Sequence, residues 1–166
     1  MPENPLTKIL AGQTEILLKN MLAVVQDANL KAELDGINAS RFIFHTLHSL
    51  DKWFINPAEY KYDEKSCGGT PEYLSIISSS RPGFSAEEAA IPRENLKIYA
   101  SFVARKIRSY MASMTDKMLI EKPNGCSFSR LELILGQFRH AMCHAGISSA
   151  MNAQKESFWL PYFGLD

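Results

Sequence analysis

The stretch Ser129–Asn152, SRLELILGQFRHAMCHAGISSAMN, decides the fold. Within it Leu133, Gln137, His140, His144, Ile147 and Met151 follow steps of four, three, four, three and four. At about 100° per residue these positions form one narrow stripe, so the spacing predicts a long amphipathic helix. Ser127 or Ser129 is a good N-cap for it. His140 and His144 project from the same face as core residues. An i,i+4 histidine pair brings two imidazoles within reach of one ion, the geometry that HExxH helices use. Position 141 is Ala, so the general-base Glu of that motif is absent. A core histidine satisfied by a hydrogen bond is the competing reading. Two on one face, one turn apart, in a chain with four histidines, are harder to explain that way.

Outward from this stretch, three more segments read as helices. The first runs roughly over residues 6–30, with Ile9, Leu10, Ile16, Leu17, Met21, Val24 and Val25 at helical spacing. Asn4-Pro5 starts it, and Gly36 with Asn38 marks the break after it. The second runs roughly over 39–54, on a stripe of Ile43, Leu47, Leu50 and Phe54, and Asn56-Pro57 ends it. The third starts at Pro92 and carries Leu96, Tyr99, Val103, Ile107, Tyr110 and Met114 on one face. Its Lys97, Arg105, Lys106 and Arg108 read as a solvated face, and Tyr99 and Tyr110 as core aromatics. Lys122-Pro123-Asn124-Gly125 is a turn.

Between the second and third helices, residues 57–92 are broken by Gly68-Gly69, Pro71, a Ser78-Ser79-Ser80 run and Pro82-Gly83. The segment still holds Tyr60, Tyr62, Tyr73, Leu74, Ile76 and Ile77, so it is expected to pack over the helices as a crossover strap. Four long helices without a strand pattern predict an all-α four-helix bundle, and the long second connection allows helices two and three to run parallel. The tail from Ser157 to Asp166 is too apolar to be solvated. It is expected to lie back on the bundle or to make a dimer contact.

Bulk properties narrow the function classes. The chain of 166 residues is the size of one domain over 1–166, and 46% hydrophobic residues suffice for a core. Lys+Arg and Asp+Glu both number 18, so the basic excess of a nucleic-acid-binding domain is missing. Near-neutrality makes a dimer plausible. The three cysteines, Cys67, Cys126 and Cys143, form neither a disulfide framework nor a CxxC zinc knuckle. The N-terminus lacks a signal-peptide pattern, and no apolar run approaches the roughly 20 residues that span a bilayer. No membrane partner and a cytoplasmic location are the expectation.

The other two histidines, His45 and His48, both lie on the second helix. A third imidazole from there would give a three-histidine site with open positions, the layout of a catalytic centre. On an ideal wheel His45 lies almost opposite the apolar stripe and His48 nearer its border, so periodicity slightly favours His48. Asp51 either holds a histidine N–H or pairs with a lysine. Cys143 falls about 80° off the histidine stripe on the same wheel and reads as a buried apolar thiol.

Two segments together resemble the DinB superfamily. These are Phe44-His45-Thr46-Leu47-His48-Ser49-Leu50-Asp51-Lys52-Trp53-Phe54 and Gly136-Gln137-Phe138-Arg139-His140-Ala141-Met142-Cys143-His144-Ala145-Gly146. The family pattern is a His on helix two, with a Leu two residues on and an Asp six on, and Arg-His-x-x-x-His-x-Gly on helix four. The stretch from Tyr99 to Tyr110 also fits the family style. The resemblance implies a four-helix bundle with a long crossover (up-down-down-up), often dimeric. It implies a divalent metal (nickel, zinc or iron) on His45, His140 and His144, with His48 the alternate to His45. Family members with known activities are thiol-dependent transferases and isomerases that use thiols such as bacillithiol or mycothiol, and some are described as hydrolases. A small-molecule thiol and an electrophilic substrate are then the expected partners. The chain departs from many members at Ile147, where they have Gln, and at Cys143, where they have His. Two other functions compete: a metal-binding or damage-response protein without catalysis, and a metal-free helical interaction domain.

Overall fold

The computed structural model describes residues 4–77 and 90–165, most of them helical. The long helices are α1 (Pro5–Asp27), α2 (Ala39–Trp53), α3 (Arg93–Ala112) and α5 (Arg130–Glu156), with a short α4 (Asp116–Ile120) before the last. The Ser78-Ser79-Ser80 run, Pro82-Gly83 and Asp166 lie outside the described residues.

Capping explains where these helices start and stop. At α5, Ser129 accepts from the Glu132 N–H and the Glu132 side chain reaches back to the Ser129 backbone, a reciprocal box. The helix runs past the expected Asn152 to Glu156, and Ser157 stops it in the left-handed region at φ 62°. The expected first helix shortens to Asp27, because Ala28 turns extended. There the Arg93 guanidinium donates to the carbonyls of Val25, Gln26 and Ala28, three acceptors that the helix end leaves open. At the other end of α1, the N–H groups of Leu6 and Thr7 donate to Asp116, whose own N–H donates to Asn4 Oδ1. The five-residue α4 thus has its place fixed by the start of α1.

The break expected at Gly36 and Asn38 is a small antiparallel hairpin, β1 (Glu33–Leu34) with β2 (Ile37–Asn38). Asp35 and Gly36 both take positive φ, 50° and 73°, as a tight two-residue turn requires. Asn38 then caps α2 by accepting from the Arg41 N–H.

Each long helix packs on two others. Arg93 meets the end of α1, and Arg108 pairs with Glu15 near its middle, so α1 and α3 run in opposite directions. The Ile91 N–H donates to Ser40 Oγ, and Tyr99 and Lys106 meet Asp51, so α2 and α3 run the same way. Ser49 meets Gln137 and Phe42 meets His144, so α2 and α5 are antiparallel. The core between them holds Leu17, Met21 and Val25 of α1, Ile43, Leu47 and Leu50 of α2, Leu96, Tyr99 and Ile107 of α3, and Ile134 and Ala141 of α5.

The core therefore takes the α5 face next to the expected stripe. Of the stripe, Leu133, Gln137 and Met151 are buried while His140, His144 and Ile147 are half-buried. The histidine face of α5 lies along α2, beside the central core.

The connection after α2 carries two 3-10 turns, Glu64–Cys67 and Glu72–Ser75. The first packs on α3 and the second on α2. Gly68, at φ 66°, sits where a Cβ would come within 2.8 Å of Asn95 Cα, so this turn seats directly on the α3 backbone. The tail lies back on α1 and α5 through its backbone. Asn152 donates to the Phe158 carbonyl, the Leu160 N–H donates to Ser149, and Asn20 exchanges two hydrogen bonds with Phe163. Its apolar side chains are not covered as expected, because the tail is held by main-chain hydrogen bonds: among its described residues only Leu160 is buried, while Phe158, Trp159, Tyr162, Phe163 and Leu165 are exposed. No helix of the described residues is long and apolar enough to cross a membrane.

Candidate metal centre

α2 delivers His45 to the face of α5 that carries His140 and His144. One ligand atom from each of the three lies within 4.8 Å of the others. The ring centroids are 5.1 Å apart for His45 and His140, 4.8 Å for His45 and His144, and 4.6 Å for His140 and His144. His45 Nε2 faces His140 Nε2 at 3.2 Å.

Hydrogen bonding fixes the tautomer of one ring. His45 Nδ1 lies 2.7 Å from the Ser75 carbonyl oxygen. A carbonyl only accepts, so Nδ1 carries the proton, and a neutral His45 presents its Nε2 lone pair to the cluster. The Nδ1 atoms of His140 and His144 are buried and have no hydrogen-bond partner among the described residues. Buried ring nitrogens seldom go unpaired, and an ion is among the partners that satisfy such groups.

Electrostatics keep the rings neutral. Burial lowers the pKa of His45 below the ordinary histidine value, opposed by the Ser75 carbonyl and reinforced by His48. Burial, then the neighbouring His45, lowers His140. Burial, then His140 and His45, pushes His144 down to about 4. Neutral imidazoles are the metal-binding form. The donor set is nitrogen only, which suits zinc, nickel, iron or copper and not magnesium or calcium. Three protein donors leave coordination positions for water or substrate. The three residues thus fit a transition metal.

His48 goes elsewhere. Its Nε2 meets Glu72 Oε1 at 2.8 Å, and its ring packs against those of Tyr60 and Tyr62, with centroids at 5.6 and 5.8 Å. The wheel leaned toward His48 because it assumes one buried side. On α2, Phe42, Ile43, Phe44, Leu47 and Leu50 are all buried, so the side opposite the apolar stripe is also covered, by α5.

Asp51 holds no histidine. It is buried, accepts from Lys106 Nζ at 2.5 Å and from the Tyr99 hydroxyl at 3.1 Å. Lys106 is correspondingly half-buried and not part of a solvated face, whereas Lys97, Arg105 and Arg108 are exposed. Tyr99 is fully buried, and Tyr110 packs its ring on Phe54 at 6.5 Å. Cys143, expected as a buried thiol, is exposed, because the core contacts of α5 run through Ile134, Ala141 and Ala145. Ile147 is half-buried against the small cluster of Phe42 and Met151.

Sequence reasoning missed Ser75, Glu72 and Arg41. Ser75 acts through its backbone, which no side-chain pattern encodes. Glu72 lies in a segment without periodicity, and Arg41 reads as a polar position at the start of a helix. Also missed was the Ser49 hydroxyl, which donates to Gln137 Oε1 at 3.0 Å one turn from the cluster and ties α2 to α5 there.

Comparison of the chain with protein-family models, with curated proteins and with solved structures finds no match in any of the three.

Proposed function

We propose that this chain is a DinB-like four-helix bundle that holds one divalent transition metal on His45, His140 and His144, and works as a metal-dependent enzyme of the thiol-dependent transferase or hydrolase type. The observation that carries this reading is the convergence of three neutral imidazoles from two helices, with their ligand atoms within 4.8 Å. The helix directions, with α2 and α3 parallel and α1 and α5 opposed to them, support an up-down-down-up arrangement. The motif resemblance on α2 and α5 supports the family, and nickel, zinc and iron all suit the donor set.

A metal held there would supply Lewis acidity, lowering the pKa of a thiol or water so that a nucleophile is available at neutral pH. The chain's own residues do the rest. Ser75 holds His45 in the tautomer that offers Nε2. Ser49 and Gln137 lock the spacing of α2 and α5 one turn away.

The test is turnover. Tag-free protein loaded with zinc or nickel is offered small thiols together with a panel of electrophiles, and hydrolysable esters and amides separately. Thiol transfer or hydrolysis that disappears in His140→Ala is the expected result. No turnover across the panel with metal bound would favour a metal-binding protein without catalysis.

A further inference from the structure

The second 3-10 turn is fastened to α2 by side chains at three positions on one helical face. Arg41 Nε donates to the Leu74 carbonyl at 3.3 Å, and its Nη2 donates to the Ile76 carbonyl. His45 Nδ1 donates to the Ser75 carbonyl at 2.7 Å. His48 Nε2 donates to Glu72 Oε1 at 2.8 Å. Positions 41, 45 and 48 are four and three residues apart, so they form one row on α2. The row therefore contains one residue of the histidine cluster, flanked on each side by a residue that holds the turn.

We propose that Glu72 is a positioning residue for the histidine centre: its carboxylate on His48 docks the turn, and the docked Ser75 carbonyl fixes His45 as the Nδ1–H tautomer with Nε2 turned to the cluster. The functional half of this rests on the metal reading above. An imidazole free in water favours the Nε2–H form, which would point a proton at the place where a lone pair is needed. The choice of ring nitrogen is set by what the other nitrogen bonds to. Here that partner is a main-chain carbonyl, and a carbonyl is only as well placed as the segment that carries it. Arg41 grips the carbonyls on either side of Ser75 from one end of the row. His48 and Glu72 grip the turn from the other end. The rings of Tyr60 and Tyr62 pack against the His48 imidazole and add to its hold on the turn.

The arrangement also assigns the two histidines of α2 complementary work. His45 looks into the cluster, and His48, one turn on, holds the segment that orients His45. Glu72 suits a test because its side chain is 47% exposed and its truncation leaves the core intact, whereas that of His48 is 12% exposed.

The experiment uses the full chain with Glu72→Ala and Glu72→Gln. Gln keeps the acceptor for His48 and removes the charge. The first readout is the His45 tautomer in metal-free protein, from two-bond nitrogen–proton NMR correlations of the ring. The second is zinc affinity by chelator competition. The expected result is that Glu72→Ala brings in the Nε2–H form of His45 and weakens zinc about tenfold, as removal of a partner that orients a metal ligand does. Glu72→Gln stays within about threefold of wild type and keeps the Nδ1–H form. The proposal is overturned if His45 keeps the Nδ1–H form in Glu72→Ala, or if both variants weaken zinc equally, which would make Glu72 a remote charge. If the wild-type chain binds no zinc, the metal reading fails on its own, and the tautomer of the metal-free protein still decides the role of Glu72.

Discussion

His45 donates its Nδ1 proton to the carbonyl of Ser75 at 2.7 Å, which joins a helix and a loop segment that the sequence separates by 30 residues. That bond decides which nitrogen of His45 is available to the cluster.

The two histidines of α2 should separate cleanly by mutation. His45→Ala removes a donor and is expected to weaken zinc binding at least about a hundredfold. His48→Ala only loosens the turn and is expected to cost about tenfold. Chelator competition on both variants checks this, and a larger loss from His48→Ala would place the ligand at the wrong histidine.

The metal-free protein should lose stability in acid through the same cluster. The neutral rings are favoured by the fold, so the unfolded chain binds protons that the folded one refuses between the ordinary value of 6.5 and the folded value of about 4 for His144. His45 and His140 shift in the same direction. Their contribution is complete above pH 6.5 and is lost as the pH falls toward 4. Urea unfolding in the presence of a chelator, at pH 7.5, 6 and 5, should show midpoints that fall with pH. The slope should be shallower in a His140→Gln/His144→Gln variant; equal slopes would remove the cluster as the source.

Lys106 and Asp51 form a pair of unequal exposure, with side chains 34% and 4% accessible. Lys106→Met therefore strands a buried carboxylate and is expected to cost about 3 kcal/mol. Adding Asp51→Asn, which keeps an acceptor for the Tyr99 hydroxyl, should recover much of that loss. Denaturant titration of the two single variants and the double variant measures the coupling, and simple additivity would contradict a direct pair.

Gly68 and Gly69 both have positive φ, 66° and 75°, but only Gly68 faces the α3 backbone. Alanine at either position is strained, by about 1 kcal/mol or more. Gly68→Ala must also push the turn off Asn95, so it should be the more destabilising of the two. Thermal unfolding would show the order, and equal losses would mean that the turn is not seated on α3 as described.

Much of this molecule can be read from its residues, and what cannot has physical causes. The Ser129 and Glu132 box and the steps from Leu133 to Met151 announce α5, because caps and period are local. The β1–β2 hairpin escapes because two residues per strand cannot show alternation. The helix α4 escapes because five residues carry little more than one turn. The choice between His45 and His48 defeats a wheel because α2 is covered on several sides, and the motif resemblance, not the period, points to His45. Cys143 was misplaced because α5 gives the core one face and α2 another, and a single stripe cannot distinguish them. Ser75 is invisible at the sequence level, since its contribution is a carbonyl oxygen that every residue has.

The central claim is a metal on His45, His140 and His144, and elemental analysis of protein purified without a histidine tag tests it most directly. The account predicts roughly one equivalent of a divalent transition metal per chain in wild type, lost in His140→Ala. Wild-type protein with less than about a tenth of an equivalent, unchanged by His140→Ala and not raised by incubation with zinc or nickel, would contradict it.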